Sequence, residues 1–251
     1  MKNFIVIIFT FLLLSCSDEN PQTTSQNNEP LPYPYQTVHY TFYYTSFDPL
    51  NIKITGDSLE DNYSRIVSDL NSDTLPNVNV HFYSNHDSLS AAVQHVVPNL
   101  PPWASGLAIS QSEIHIMSPN HPDYEFNYMI AILIHEFAHC VSYHIRPNIA
   151  NNPRWLWESV AIYEARQFFD PHSIPYLVNH IPPTLAQLNS FDNTMIYEVG
   201  YLLAEYIILN WSRDHFVNLI LTNGNLQQVL GVTTVQFESG WFDFVRARYG
   251  I

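Results

Sequence analysis

The sequence is poor in cysteine, glycine and basic residues, and each shortage removes a class of protein. Two cysteines in 251 residues cannot build a disulfide scaffold. Seven scattered glycines form no phosphate-cradling loop and no dinucleotide fingerprint. Nine Lys+Arg against 23 Asp+Glu leave a formal charge of −14, which excludes nucleic acid as a partner, because binding to a phosphate backbone draws on basic side chains. No internal repeat is present. Core-forming material is plentiful: 46% of residues are hydrophobic and 14% aromatic, enough for a sizeable folded core.

The chain opens with an address. Lys2 precedes an apolar run from Phe4 to Leu14, interrupted by Thr10, with the length of a signal h-region and too short to span a bilayer comfortably. Leu13-Leu14-Ser15-Cys16 resembles a bacterial lipobox, which implies a signal peptide over 1–15 and lipidation of Cys16. An ordinary secretory signal is the alternative. Several acyl chains on Cys16 would hold the protein to a membrane, each buried CH₂ contributing about 0.8 kcal/mol. Ser17-Asp18-Glu19-Asn20 resembles the acidic export signal of surface-displayed lipoproteins. The expected location is the bacterial cell envelope, anchored to the outer membrane and exposed at the surface. Residues 16–35, rich in Gln, Asn, Thr, Ser and Pro, predict a flexible tether.

The folded part is expected over 36–251, as an α+β protein. Within 36–122, β-like runs at Val38–Thr45, Asn77–Tyr83, Gly106–Ser110 and Glu113–Met117 alternate with helical patterns at Ser58–Leu70 and Ser88–Val97, which predicts an α/β lobe with a mixed sheet. Over 123–251 the strand signals nearly vanish. Helical stretches follow at Tyr128–Tyr143, Pro153–Phe169, Met195–Trp211, His215–Thr222 and Val235–Tyr249.

The chemistry concentrates in His135-Glu136-Phe137-Ala138-His139, an HExxH motif. In a helix, residues four apart differ by about 40° around the axis and about 6 Å along it, so both imidazoles leave one face and converge on one ion. Glu136 lies about 100° around from His135, where a carboxylate flanks a metal without ligating it and takes a proton from water. Ile130, Ile134, Phe137 and Val141 form a second stripe for burial. A hydrolytic zinc site takes three protein ligands and leaves a position for water. His144, five residues after His139, points about 140° away and reads as a helix-end or surface histidine. The metzincin spacing would need Gly at Ser142 and His at Ile145, and both fail. Glu158 is the better candidate, in a helix where Asn152 is the expected cap, Pro153 the expected first residue, and Glu158, Ala161, Ile162 and Ala165 share a face.

HExxH followed by Trp155-Leu156-Trp157-Glu158-Ser159-Val160-Ala161-Ile162-Tyr163 resembles the gluzincin zinc peptidases, particularly the peptidase MA-like and aminopeptidase-N-like families with their W-x-E-G-x-A-x-Y segment. The 18 residues between His139 and Glu158 match the aminopeptidase-like spacing. Ser159 stands where Gly is usual. The resemblance implies a zincin-like fold with the cleft between the two lobes, Zn²⁺ held by His135, His139 and Glu158, and Glu136 as general base. Tyr197-Glu198-Val199-Gly200-Tyr201 resembles the Y-x-K-G segment that supplies an oxyanion donor, with Val199 replacing Lys; this implies Tyr197 in that role, with Tyr201 in reserve. It also implies a strand that pairs with extended substrate, either Gly106–Ser110 or Glu113–Met117. The G-x-M-E-N amino-terminus grip of aminopeptidases is absent.

The expected function is therefore a membrane-anchored zinc metallopeptidase acting on peptide or protein substrates. The alternative is a non-catalytic peptide- or glycan-binding lipoprotein on the same scaffold, and a zinc amidase acting on wall peptides shares all the named residues. Cys140 reads as a buried small hydrophobe, Trp155 and Trp157 as packing around the zinc helices, and Glu164 as a surface carboxylate. His81, His86, His95, His115, His121, His172, His180 and His215 show no ligand spacing along the chain.

Overall fold

Alternation of apolar and polar residues in Val78-Asn79-Val80-His81-Phe82-Tyr83 buries Val78, Val80 and Phe82 on one sheet face and half-exposes the others, which is the signature of a strand packed on one side. The computed structural model describes residues 33–251; Cys16, the signal peptide and nearly all of the expected tether lie outside the described residues. The described chain is α+β. Strands β1 (Tyr35–Gln36) and β2 (Tyr40–Tyr43) lead into helix α1 (Ile52–Asp69), followed by β3 (Val78–Tyr83), α2 (His86–Val93), β4 (Gly106–Ser110) and β5 (Glu113–Met117). The five strands form one mixed sheet in the order β1-β2-β3-β5-β4. The β2–β3 and β3–β5 pairs are parallel, and the two outer pairs are antiparallel. Of the two strands expected to meet substrate, β4 occupies a sheet edge and β5 is interior.

Helix α1 begins six residues before its expected start, because Ile52, Thr55, Leu59, Tyr63 and Ile66 make a buried stripe from its first turn. Gly56 sits in that stripe where a Cβ would come within 3.0 Å of Thr37 and Tyr35. Past the sheet come α3 (Phe126–Ile145), α4 (Arg154–Glu164), a 3₁₀ turn (Pro171–Ser173), α5 (Pro175–Val178), α6 (Leu185–Leu188), α7 (Ile196–Asn210), α8 (Arg213–Leu221), α9 (Leu226–Leu230) and α10 (Thr234–Tyr249). The short pieces between 171 and 188 have too few turns to show a period. No described helix is long and apolar enough to cross a membrane.

The burial of α3 differs from the expected stripe. Ile130 and Ile134 are only partly covered, while Met129, Leu133 and every residue from His135 to Ser142 are buried. Phe137 packs between Tyr40 and Tyr63, each 5.4 Å away between ring centroids, joining the helix to the sheet and to α1. Cys140 is a fully buried free thiol, and burial pushes its pKa well up, which suits an inert packing role.

Helix α4 runs through the middle of the helical part, with all but Tyr163 of its residues buried. Its start corrects the expected cap. Pro153 precedes the helix in extended backbone, and the Trp155 N–H is taken by the Asn189 side chain at 3.1 Å rather than by Asn152. The Arg154 guanidinium donates to the carbonyls of Leu188, Ser190 and Asn193, fixing the same end. Ser159 replaces glycine without an orphaned hydroxyl, since its Oγ donates to the Trp155 carbonyl at 2.6 Å. Helix α7 crosses α4 closely at Gly200, where a Cβ would stand 2.6 Å from Ile162.

Glu164 is not a surface carboxylate. Its side chain is fully buried, accepts from Arg65 at 2.8 Å and Arg213 at 3.2 Å, and so ties α4 to α1 and α8. Burial, reinforced by Asp69, pushes its pKa up to about 7 against the pull of Arg213 and Arg65. Between about pH 4.5 and 7 the folded chain therefore holds a proton that the unfolded chain has released, and stability falls as pH rises through that window. Glu164→Gln removes this slope. In urea unfolding, the variant should gain on the parent by up to about 3 kcal/mol between pH 5 and pH 7.5; an unchanged difference would contradict the assignment.

Candidate metal centre

Helical periodicity puts His135 and His139 one turn apart on α3, with ring centroids 4.6 Å apart and planes at 86°. Glu158 reaches them from α4. Its Oε2 lies 3.3 Å from His135 Nε2 and 3.8 Å from His139 Nε2, and all three side chains are buried. The ligand atoms of the trio fall within 4.8 Å of one another. Glu158 Oε2 is buried with no hydrogen-bond partner, although a carboxylate oxygen taken from water normally has one. Two imidazole nitrogens and an orphaned carboxylate oxygen aimed at one point are the donor set of a divalent transition ion, so these residues can hold a metal.

Burial disfavours a charged His135, yet Glu158 and Glu136 overcome that and hold its pKa above the usual histidine value. Burial and the neighbouring His135 keep His139 well below it. The two imidazoles therefore differ in basicity, with His139 the one that gives up its proton more readily.

Outer contacts fix the ligands. Gln167 Oε1 lies 2.9 Å from His135 Nδ1, and by accepting the Nδ1 proton it leaves Nε2 free to ligate. Sequence reading missed Gln167 because it lies beyond the end of α4. Arg166 takes φ 57°, and the N–H groups of Arg166 and Gln167 bond back to the carbonyls of Tyr163 and Ile162, a Schellman turn that folds Gln167 toward α3. His139 is held by stacking, its ring 3.8 Å from that of Trp157 at 6°. Gln167→Ala should weaken metal binding by about 10–100-fold without unfolding the protein. Competition against a chromogenic chelator checks this, and an unchanged affinity would remove Gln167 from the site.

Glu136 lies beside the trio and accepts the Ala108 N–H of edge strand β4 at 2.7 Å through Oε2. Burial pushes its pKa up to about 7, with Glu158 adding to the rise while His135 and the Ala108 N–H oppose it. Such a carboxyl exchanges protons near neutrality. Tyr197, from the first turn of α7, points its hydroxyl at Glu158 Oε1, 3.4 Å away. The Trp103 ring meets it edge-on and the Arg154 guanidinium lies over it. Burial, then the Glu158 charge, raises its pKa far above the usual phenol value, so it stays a donor. Tyr201 packs on Tyr163 and Phe168 and is not among the residues lining the two cavities beside the trio. His144 sits at the exposed end of α3 against Gln111.

Two adjoining cavities, about 260 and 430 Å³, share Trp103, Gly106, His135, Glu136 and Tyr197. The larger is also lined by Tyr128, Ile132, Phe168 and Phe169, with Arg166 and Gln167 among them. Trp103, Phe168 and Phe169 lie outside the motif helices and were not legible as site residues, and Tyr128, on α3 before the motif, carries no signal of its own. Compared with models of known protein families and with curated proteins, the chain matches none.

Proposed function

We propose that this protein is a zinc metallopeptidase of gluzincin type, hydrolysing peptide bonds in the cleft beside α3. The observation that supports it most is the convergence of His135 Nε2, His139 Nε2 and an unpartnered Glu158 Oε2 next to a carboxyl, Glu136, that exchanges protons near neutrality. His135, His139 and Glu158 would hold the ion. The chemistry supplied by bound zinc is Lewis acidity, which polarises a carbonyl and acidifies water.

The chain's own groups do the rest. Glu136 is engaged through Oε2 by Ala108, which leaves Oε1 to take a proton from the attacking water and pass it to the leaving amine. The Tyr197 hydroxyl donates toward the oxyanion as it develops on the scissile carbonyl. Strand β4 lies at the sheet edge and lines the smaller cavity, and apart from the Ala108 N–H held by Glu136 its outward backbone suits an extended peptide, while the larger cavity suits an apolar side chain. Burial of the site keeps bulk water from competing for these groups.

Tyr197→Phe should lower kcat by about 10²-fold with little change in KM, because the hydroxyl acts on charge that appears only in the transition state. A loss carried by KM alone would give Tyr197 a binding role instead. The reading itself is tested by digesting a peptide library with zinc-loaded protein, with and without chelator. Chelator-sensitive cleavage is expected. A zinc-loaded, folded protein that cuts nothing would favour the binding lipoprotein. The proposal extends to a lipid anchor at Cys16 and a place on the bacterial outer membrane, which mass analysis of the mature N-terminus tests.

A further inference from the structure

A second cluster lies on the other face of the sheet. Strand alternation places His81 and Tyr83 of β3, Glu113 and His115 of β5, and Tyr43 of β2 opposite the core residues Val80, Phe82, Ile114 and Ile116. The parallel register sets Tyr43, His81 and His115 in one row across three strands. Their rings stack along that row, with centroids 4.6 Å apart for Tyr43–His81 and 4.8 Å for His81–His115, at 5° and 12°. Both imidazoles turn Nε2 toward one carboxylate oxygen: Glu113 Oε1 is 2.9 Å from His115 Nε2 and 3.8 Å from His81 Nε2.

We infer that His81, Glu113 and His115 form a second metal site, for a borderline divalent transition ion such as zinc or copper, built on the sheet face away from the proposed catalytic centre. The three ligand atoms lie within 4.8 Å of one another. Imidazole and carboxylate together select ions of this class. Glu113 Oε1 bonds His115 Nε2 at 2.9 Å and lies 3.8 Å from His81 Nε2, beyond hydrogen-bond reach, so an ion would replace the proton in the first contact and draw in the second. His115 also carries the kind of outer partner that metal ligands have. Its Nδ1 lies 2.7 Å from the Tyr83 hydroxyl, and a hydroxyl that accepts the Nδ1 proton leaves Nε2 for the ion. Stacking on Tyr43 fixes the His81 ring. Glu113 reaches solvent, which gives the ion a way in. An ion here would join β3 to β5 in the middle of the sheet.

The experiment is calorimetric titration of the full chain with ZnCl₂. The parent should bind two equivalents. His135→Ala/His139→Ala should keep one, the sheet site, and His81→Ala should keep the other. Glu113→Gln should weaken only the sheet equivalent, by tenfold or more, and because this residue is at the surface it decides the matter if His81→Ala fails to fold by circular dichroism. A parent that binds a single equivalent, lost in His135→Ala/His139→Ala, would overturn the sheet site and leave the catalytic reading standing. A second equivalent unaffected by Glu113→Gln and His81→Ala would also overturn it. A parent that binds a single equivalent, lost in His81→Ala and kept in His135→Ala/His139→Ala, would sink the catalytic reading alone.

Discussion

Glu136→Gln is expected to lower turnover by about 10³-fold or more while the protein keeps its zinc. General acid–base groups contribute about 10²–10⁴-fold, and this carboxyl is the one group beside the metal trio, among the described residues, with a pKa brought near neutrality. The amide matches the carboxylate in shape, and its oxygen can still accept the Ala108 N–H. Nothing else should therefore move. Burial already disfavours the charged carboxylate, so the neutral amide should not destabilise the fold. KM should change little, because the lost interaction is with a proton in flight. Steady-state kinetics on a cleaved peptide, beside metal analysis of the same sample, measures both quantities. Activity within tenfold of the parent would remove Glu136 as the base. Loss of zinc together with activity would make its role structural.

Glu158→Ala should have the second large effect, on metal rather than on chemistry. It removes one of three ligands, so affinity should fall by about 10³-fold or more, beyond the roughly 10–100-fold of losing an outer partner such as Gln167. A thermal consequence follows. Any ion that binds the folded state raises Tm according to its affinity, and that zinc-dependent gain should vanish in Glu158→Ala. Without zinc the substitution removes an oxygen that has no hydrogen-bond partner, but also the acceptor of the Tyr197 hydroxyl and the charge beside His135, so it should cost about as much as an ordinary buried truncation. Melting curves with and without zinc for parent and variant give the comparison. An equal zinc-dependent shift in both would point to another third ligand.

How much of this was legible in the sequence depends on how far apart the interacting residues lie. The α+β class and the exact bounds of β4 and β5 follow from local alternation, and the helix under HExxH follows from its period. The candidate trio needed a motif whose parts are separated by one helix turn and one connection. Glu164 escaped because its partners stand 99 and 49 residues away, and a lone glutamate on a helix carries no mark of an arginine packed against it. The pairing of His81 with His115 is set by strand register, which residue spacing does not encode. Gln167 depended on a left-handed Arg166 where glycine is the usual signal, and the cap of α4 on a side chain 34 residues later. The early start of α1 had no capping residue to announce it, since Asn51 makes no side-chain cap.

Crystals of zinc-loaded protein, read by anomalous diffraction at the zinc edge, test most directly whether two helices bring three side chains to one metal ion. A peak is expected about 2.0–2.2 Å from His135 Nε2, His139 Nε2 and a Glu158 carboxylate oxygen. No peak between those residues, or a Glu158 turned away from an ion held by other groups, would contradict it.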